Sequence, residues 1–500
     1  MGVRAVECVL FSETMKIAIV HYHLRTGGVT RVVRHAFDAP TGSDVAVAVL
    51  SGEPPAEPMP SGARVEIVPE LAYESAFAGD PRAAAEILQA AATKALGGSP
   101  DVWHIHNHAL GKNRFLPMAT AGLAERGCRL LLQIHDFAED GRPENYRFLL
   151  RHVGENDEKT LARRLYPAAP TVHYAALNER DRRFLASAGA QPDHLHLLPN
   201  AVALETPPAE WRELSGGSRR VLYPTRGIRR KNLGEFILWA ALHSDDRFGV
   251  TRRPLNPAAR AIHDRWAAFA EKTHGVRVAF DMAAHSPAGF FELMAQADAL
   301  ATTSVAEGFG LCFLEPWAVG RPLLGRNLPE ITAGITANGV DLSGMYERLD
   351  VPADWVGEDV LRRRIEEGLR EHYTSYGRTL QPGGVRRAYD AFVRDGMVDF
   401  GRLDEPLQER VIERLVSGPA AREAVRPRNL AVSPGARERT ARNREALLRS
   451  FSIPEYGKRL RGVYDAVAAS PSGVIASLSR RALLDAFLDP ARFNLLLTHT

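Results

Sequence analysis

Two acids, Glu307 and Glu315, flank the run GFGLCFL, and Gly320-Arg321-Pro322 closes the segment. A carboxylate accepts hydrogen bonds from hydroxyl groups. Between the acids, Gly308 and Gly310 let the backbone come close to a ligand, and a helix after them offers unpaired N–H groups to an anion. Eight helical residues rise about 12 Å, beyond the roughly 5 to 9.5 Å that separates a glycosidase acid/base pair. The spacing therefore predicts a clamp on two hydroxyl-bearing ends of one elongated ligand. An isolated glutamate pair beside a core helix reads as solvated surface; the glycines favour the ligand.

The stretch YPTRGIRRKN carries Arg226 and Lys231, five residues apart, where a strand ends and a helix begins. A guanidinium grips phosphate oxygens through two donors and an ammonium adds point charge. Together they suit a diphosphate and its stabilisation as a leaving group. Cations at a helix start are unfavourable unless an anion is present, which supports a phosphate ligand; Arg229 and Arg230 read as solvated. HLRTGGVT has neither the Gly-x-Gly-x-x-Gly pattern nor a nucleotide-loop lysine. It offers a flexible backbone approach at Gly27 and Gly28, facing the cations across a cleft.

DVWHIHNH places His104, His106 and His108 at alternate positions, hence on one face of a strand. Zinc is disfavoured because no acidic or cysteine ligand lies nearby in sequence, and no metal is expected; polar substrate contacts suit these residues equally well. His135-Asp136 forms a second polar strand end and His21 with His23 a third. For each, a satisfied, partly buried histidine fits as well as a ligand role. Asn200 suits a turn at a domain border.

These residues need strand ends to carry them. From Met15 short β-branched runs alternate with helical text, the pattern of parallel sheets covered by helices. The reading is α/β: two Rossmann-like doubly wound domains facing a cleft, with a helical C-terminal region. Residues 1–14 read as an extension, 15–203 as the first domain, 204–217 as a Pro/Gly/Ser-rich linker and 218–356 as the second domain. Residues 357–500 read as helical, with 440–468 packing back across the domains. Open α/β sheets bind ligands beyond the carboxyl ends of their strands.

Five hundred residues predict two or three domains, and 45% hydrophobic with 25% charged residues is a globular balance. A net charge of +3 gives no argument for a nucleic-acid partner. Cys8, Cys128 and Cys312 are odd in number and far apart, as in a reducing compartment. No run reaches the eighteen or so apolar residues of a membrane span, and Glu7 and Glu13 interrupt any signal-peptide core. A cytoplasmic protein without a transmembrane segment is expected.

Over residues 15–345 and 440–468 the chain resembles retaining GT-B glycosyltransferases of the family 4 group, which use nucleotide-sugar donors. The resemblance rests on GGVTRVV, HIHNH, QIHD, LLPNAV, Arg226 with Lys231, AEGFGLCFLEPWAVGRP and the late helix NREALLRSFSIPEYGKRLRGVYDAV. It implies that Glu307 contacts the donor sugar, Glu315 the ribose, and the backbone of Phe309, Gly310 and Leu311 the sugar and phosphate. Arg226 and Lys231 would hold the diphosphate, with Gly28 and Gly27 approaching from the first domain. His106 would stand near the acceptor or the transferred sugar, with His104, His108, His135 and Asp136 as further contacts. The implied reaction moves a hexose from a nucleoside diphosphate sugar to an acceptor hydroxyl with retention, without metal or other cofactor. A homo-oligomer is compatible with it. The alternatives are a GT-B phosphorylase and a non-catalytic nucleotide-sugar-binding protein; a dinucleotide oxidoreductase lacks its glycine fingerprint here. Pro316, Trp317 and the GRNLPEIT run before Glu330 depart from the family pattern. Residues 357–435 match nothing in it and read as an insertion shaping an acceptor pocket or an oligomer contact.

Overall fold

The computed structural model of the chain describes residues 14–39, 42, 44–203, 210, 211, 218–425 and 435–498. The expected extension, apart from Thr14, and most of the expected linker lie outside the described residues, as does Cys8.

The first sheet contains β1 (Met15–His21), β2 (Val45–Ser51), β3 (Arg64–Ile67), β4 (Val102–His106), β5 (Leu130–Ile134), β6 (Val172–Ala176) and β7 (Leu195–Leu197). Its order is β3-β2-β1-β4-β5-β6-β7, with every pairing parallel. Strands β4 and β5 are buried along their whole length because helices cover both faces. On β1, Ala18 and Val20 join the core with helices Pro81–Leu96 and Phe115–Glu125. Ile17 and Ile19, on the opposite face, pack with helices Gly28–Asp38 and Ile453–Ala468. Strand order reverses between β1 and β4, so the ends carrying His21 and His106 lie at the crevice where such sheets bind ligands.

The second sheet contains β8 (Arg220–Arg226), β9 (Arg247–Arg252), β10 (Val278–Ala279), β11 (Ala299–Thr302) and β12 (Leu323–Gly325), parallel in the order β10-β9-β8-β11-β12. Its reversal falls between β8 and β11, the strands that lead to Lys231 and Glu307.

The helical region after residue 357 is part of the second domain's core. Leu361, Ile365, Phe392 and Val411 share one apolar cluster with Val221, Phe236 and Val250 of the sheet layer. A buried guanidinium fixes the join: Arg326 donates to Glu235 at 2.7 Å and to Asp399 at 2.8 Å. Helix Ala436–Phe451 places Ala446 and Leu447 against the second domain. Helix Ile453–Ala468 then crosses to the first, where Tyr456, Leu460 and Tyr464 are buried. Leu483 and Phe487 lie in the first domain's core, while Phe493 and Leu495 return to the second's.

Candidate active site

The loops after β8 and β11 are stitched together before any charge is considered. Thr303 Oγ1 donates to the carbonyls of Lys231 and Asn232, both at 3.0 Å. Tyr223 Oη donates to the Lys231 carbonyl at 3.1 Å, and the Val305 N–H to that of Arg230 at 2.9 Å. This frame brings the Lys231 ammonium onto Glu307 Oε1 and sets Arg230 Nη1 2.8 Å from Glu307 Oε2. Burial opposes ionisation of Glu307, yet the Lys231 and Arg230 charges outweigh it and hold the carboxyl down to about 2.

Two expectations need correction here. Arg230, though its side chain is 40% exposed, is not merely solvated: besides Glu307 it donates to the Ala306 carbonyl at 3.0 Å. Arg229 is likewise engaged, 2.8 Å from Glu405 of the helical region. Both loops fold back on the domain, which sequence spacing does not show. Arg226 ends β8 with an exposed side chain that forms no ion pair among the described residues.

The eight-residue helical rise between Glu307 and Glu315 is also corrected. Gly310 takes a left-handed φ of 92° and caps a single 3-10 turn, Leu311–Phe313. The helix beginning at Glu315 is only four residues long, Glu315–Ala318, with Pro316 in its first turn. The acids therefore face a shared centre. Both carboxyls feel the Lys231 charge, and Cys312 lies between them, its Sγ 3.6 Å from Glu307 Oε1. Glu315 is shifted the opposite way from Glu307: burial pushes its carboxyl up against the pull of Arg31, whose Nη1 stands 2.9 Å away. Phe309 is buried in the apolar cluster of Phe313 and Trp317, with Leu311 partly buried against it.

Arg31 belongs to helix Gly28–Asp38 of the first domain, so this ion pair spans the cleft. Gly27, in extended conformation, precedes that helix, and a Cβ on Gly28 would meet nothing within 4 Å. A second crossing lies at Gly308, whose carbonyl accepts from Asn178 Nδ2 at 2.5 Å. A Cβ at Gly308 would stand 3.2 Å from the His135 carbonyl. Close approach of the two domains thus uses the glycine that breaks the acidic segment.

The histidines divide. Strand β4 stops at His106 because Asn107 adopts a left-handed φ of 58°, and Asn107 Oδ1 accepts from the His135 and Asp136 N–H groups at 2.7 and 3.0 Å. The expected single face therefore holds only His104 and His106; His108 turns away and bonds the Leu165 carbonyl at 2.8 Å. His104 is buried between Tyr464 Oη at 2.9 Å and Gln133 Oε1 at 2.8 Å. His106 Nδ1 meets His135 Nε2 at 2.9 Å, while its own Nε2 is buried without a partner. His135, 6% exposed, stands nearer the cleft than the fully buried His106. Burial holds His106 well below the ordinary histidine range and His135 near 4. Asp136 pairs with Arg142 at 2.5 Å.

Arg31 and Asn178 go unmarked in the sequence, where Arg230 reads only as solvated. A signal for Arg31 existed: it follows Gly28 by three residues at a helix start where cations are unfavourable, the argument that singled out Lys231. Among the described residues no cluster of three or more His, Cys, Asp or Glu stands ready to hold a metal ion. No described helix is long and apolar enough to cross a membrane.

No protein-family model matches the chain. It is 27% identical over 348 residues to a mannosylglucosyl-3-phosphoglycerate synthase of Petrotoga mobilis, covering 63% of this chain and 65% of that one. The chain thus spans just under two thirds of the length of the curated relative it matches. The structure superposes on sucrose-phosphate synthase from Thermosynechococcus elongatus with a TM-score of 0.50 at 13% identity, over 90% of this chain and 98% of that one. A glycosyltransferase from Rickettsia africae gives 0.51 at 11% identity, over 92% and 100%. These likenesses show the fold: the chain is GT-B, two facing α/β domains with a helical C-terminal region, as its sequence resemblance implied.

Proposed function

We propose that the chain is a retaining glycosyltransferase that moves a hexose from a nucleoside diphosphate sugar to an acceptor hydroxyl in the cleft between its two sheets. The observation that carries this reading is the convergence of Lys231 and Arg230 on Glu307 at the strand-order reversal of the second sheet. Two cations meet one carboxylate there, with exposed Arg226 five residues upstream of Lys231, a surplus that suits a pyrophosphate. The relative from Petrotoga makes, by its name, a hexosyl conjugate, which supports hexosyl transfer.

On this reading the donor pyrophosphate draws Lys231, Arg230 and Arg226 to itself, and the Gly28 helix start faces it across the cleft. Glu307 stays within the field of those cations, which hold it ionised near neutral pH, and accepts hydrogen bonds from the transferred sugar. It is not a proton donor. Glu315 exchanges Arg31 for the ribose hydroxyls, and the backbone at Phe309 to Leu311 lines the sugar and phosphate. The bond from C1 to the phosphate oxygen breaks as the acceptor oxygen bonds C1 from the same face, and the acceptor proton passes to the departing phosphate. His135 touches the sugar, and His106 positions it through their shared hydrogen bond. Protein cations carry the charge neutralisation without a metal, and the odd, widely spaced cysteines support a cytoplasmic reaction.

The test is a thermal-shift screen against UDP-, GDP- and ADP-sugars, since a ligand stabilises in proportion to the logarithm of its occupancy. It is followed by mass detection of nucleotide release in EDTA and NMR assignment of the product anomer. A chain that no nucleotide sugar stabilises, and that releases no nucleoside diphosphate with any of them, is not this enzyme.

A further inference from the structure

Sharing a wall with Glu307 is a cavity of about 820 Å³ that the donor reading does not use. Helix Glu179–Ser187 of the first domain, the loop at Val305–Glu307 and the region after residue 357 all reach it. The volume lies within the usual range of small-molecule sites. Seven arginines and no lysine are among its described lining residues, and how they are paired decides what the cavity can hold.

Arg180, Arg326 and Arg492 each have a carboxylate within ion-pair distance. Arg348 has Asp350 at 2.8 Å. Arg183 and Arg394 are exposed and form no ion pair among the described residues. Arg402 is the informative one. Its Nη1 donates to the Ala491 and Phe493 carbonyls, and its only carboxylate among the described residues, Asp399 at 4.0 Å, is already bound to Arg326. Burial, followed by repulsion from Arg348, Arg326 and Arg394 against the pull of Asp399, drops its guanidinium to about 10. Two lining acids form no ion pair among the described residues, Glu347 and Asp489, and both are exposed. Three guanidiniums with donors to spare face one cavity, and guanidinium geometry matches phosphate and carboxylate oxygens.

We propose that this cavity is the acceptor subsite and that the acceptor is an anionic sugar derivative, its phosphate or carboxylate held by Arg402 and Arg394 with Arg183 facing from the first domain. The proposal rests on the glycosyl-transfer reading for the word acceptor, but the anion site itself does not. It gives the segment unmatched by the family resemblance a role in selecting substrate.

The full chain is titrated at constant ionic strength with inorganic phosphate, hexose phosphates, hexuronic acids and neutral methyl hexosides, with UDP- and GDP-sugar binding followed separately. Phosphate and one class of charged sugar are expected to raise the melting temperature, and Arg394→Gln and Arg402→Gln to weaken that binding at least tenfold. Hexose phosphates against hexuronic acids then tell an ester from a carboxylate. Should Arg402→Gln fail to fold, the exposed Arg394→Gln carries the test alone. Neutral hexosides binding as well as charged ones, or the anions binding the variants as they bind the parent chain, overturns the proposal. Arginine-dependent phosphate binding with no nucleotide sugar bound leaves the anion site standing and removes the donor reading.

Discussion

Burial by itself pushes the Glu307 carboxyl up; two cations within hydrogen-bond reach hold it down and keep it ionised. Removing one of them should therefore cost twice. Lys231→Met leaves a carboxylate that is 8% exposed with Arg230 as its sole cation, and breaking a buried pair costs on the order of 3 kcal/mol. The same change takes a donor from the leaving pyrophosphate, for which a loss of roughly 10²-fold to 10³-fold in kcat is expected. Chemical denaturation and single-turnover transfer read the two effects separately. A variant of parent stability would show that Lys231 does not hold Glu307. Titration offers a second check at this scale. Burial lowers His21 and His104 to about 3 and His135 to about 4, from an ordinary 6.5. These groups stay neutral in the folded chain while the unfolded chain takes up protons below 6.5. Stability should then fall as pH drops from 6.5 toward about 4, each histidine contributing a slope of up to about 1.4 kcal/mol per pH unit. Glu307 adds a loss of the same sign below 4.5, as pH approaches its folded value of about 2. A melting temperature flat between pH 7 and pH 5 would contradict the histidine burial.

One glycine decides the shape of the segment that joins the acids. Gly310 sits at φ 92°, where a side chain is strained, and a Cβ there would lie 2.7 Å from Phe313 Cδ2. Gly310→Ala should cost about 1 to 3 kcal/mol and weaken donor binding by moving the backbone from Phe309 to Leu311, as calorimetric titration with the donor would show. Unchanged affinity would mean the donor does not use that backbone. The same residue marks where sequence reasoning stopped. The strands were legible because runs such as LLLQI, buried on both faces, read as continuous apolar text between helices. The strand ends were legible too, since Lys231 breaks the rule against cations at a helix start. Gly310 was recognised as permissive, but its sign of φ was not, so a compact turn was taken for helical rise. Asn107 ends β4 at His106, two positions before the third histidine, by the same kind of local choice. Arg230 on Glu307 and Arg31 on Glu315 depend on how loops far apart in sequence meet, and no periodicity encodes that. Helices after residue 357 were visible from their charged amphipathic pattern, which names a buried face but not the surface that covers it.

Across the whole molecule, the unexpected feature is how often the chain ties one domain to the other. Tyr376 follows helix Glu358–Ser375, whose Leu361 and Ile365 belong to the second domain, yet its own ring is buried in the first domain's core. Its hydroxyl accepts from the Arg142 N–H at 2.7 Å and donates to the Ala138 carbonyl at 3.3 Å, holding the loop between β5 and helix Pro143–His152. That loop carries Asp140, one wall of the arginine-rich cavity, and Asp136, beside His135. Tyr376→Phe keeps the ring packed against Tyr146, at 5.1 Å, while leaving the buried Ala138 carbonyl and the part-buried Arg142 N–H without their partner. The expected loss is about 1 to 3 kcal/mol, concentrated as faster amide exchange at residues 138–142 rather than spread over the second domain. Native-state hydrogen exchange resolves the two patterns. Local loosening of that loop would show that the hydroxyl braces the first domain's side of the cleft. Uniform loosening would mean that the region after residue 357 stabilises the molecule only as a whole, and that its reach toward the cavity is incidental to the site.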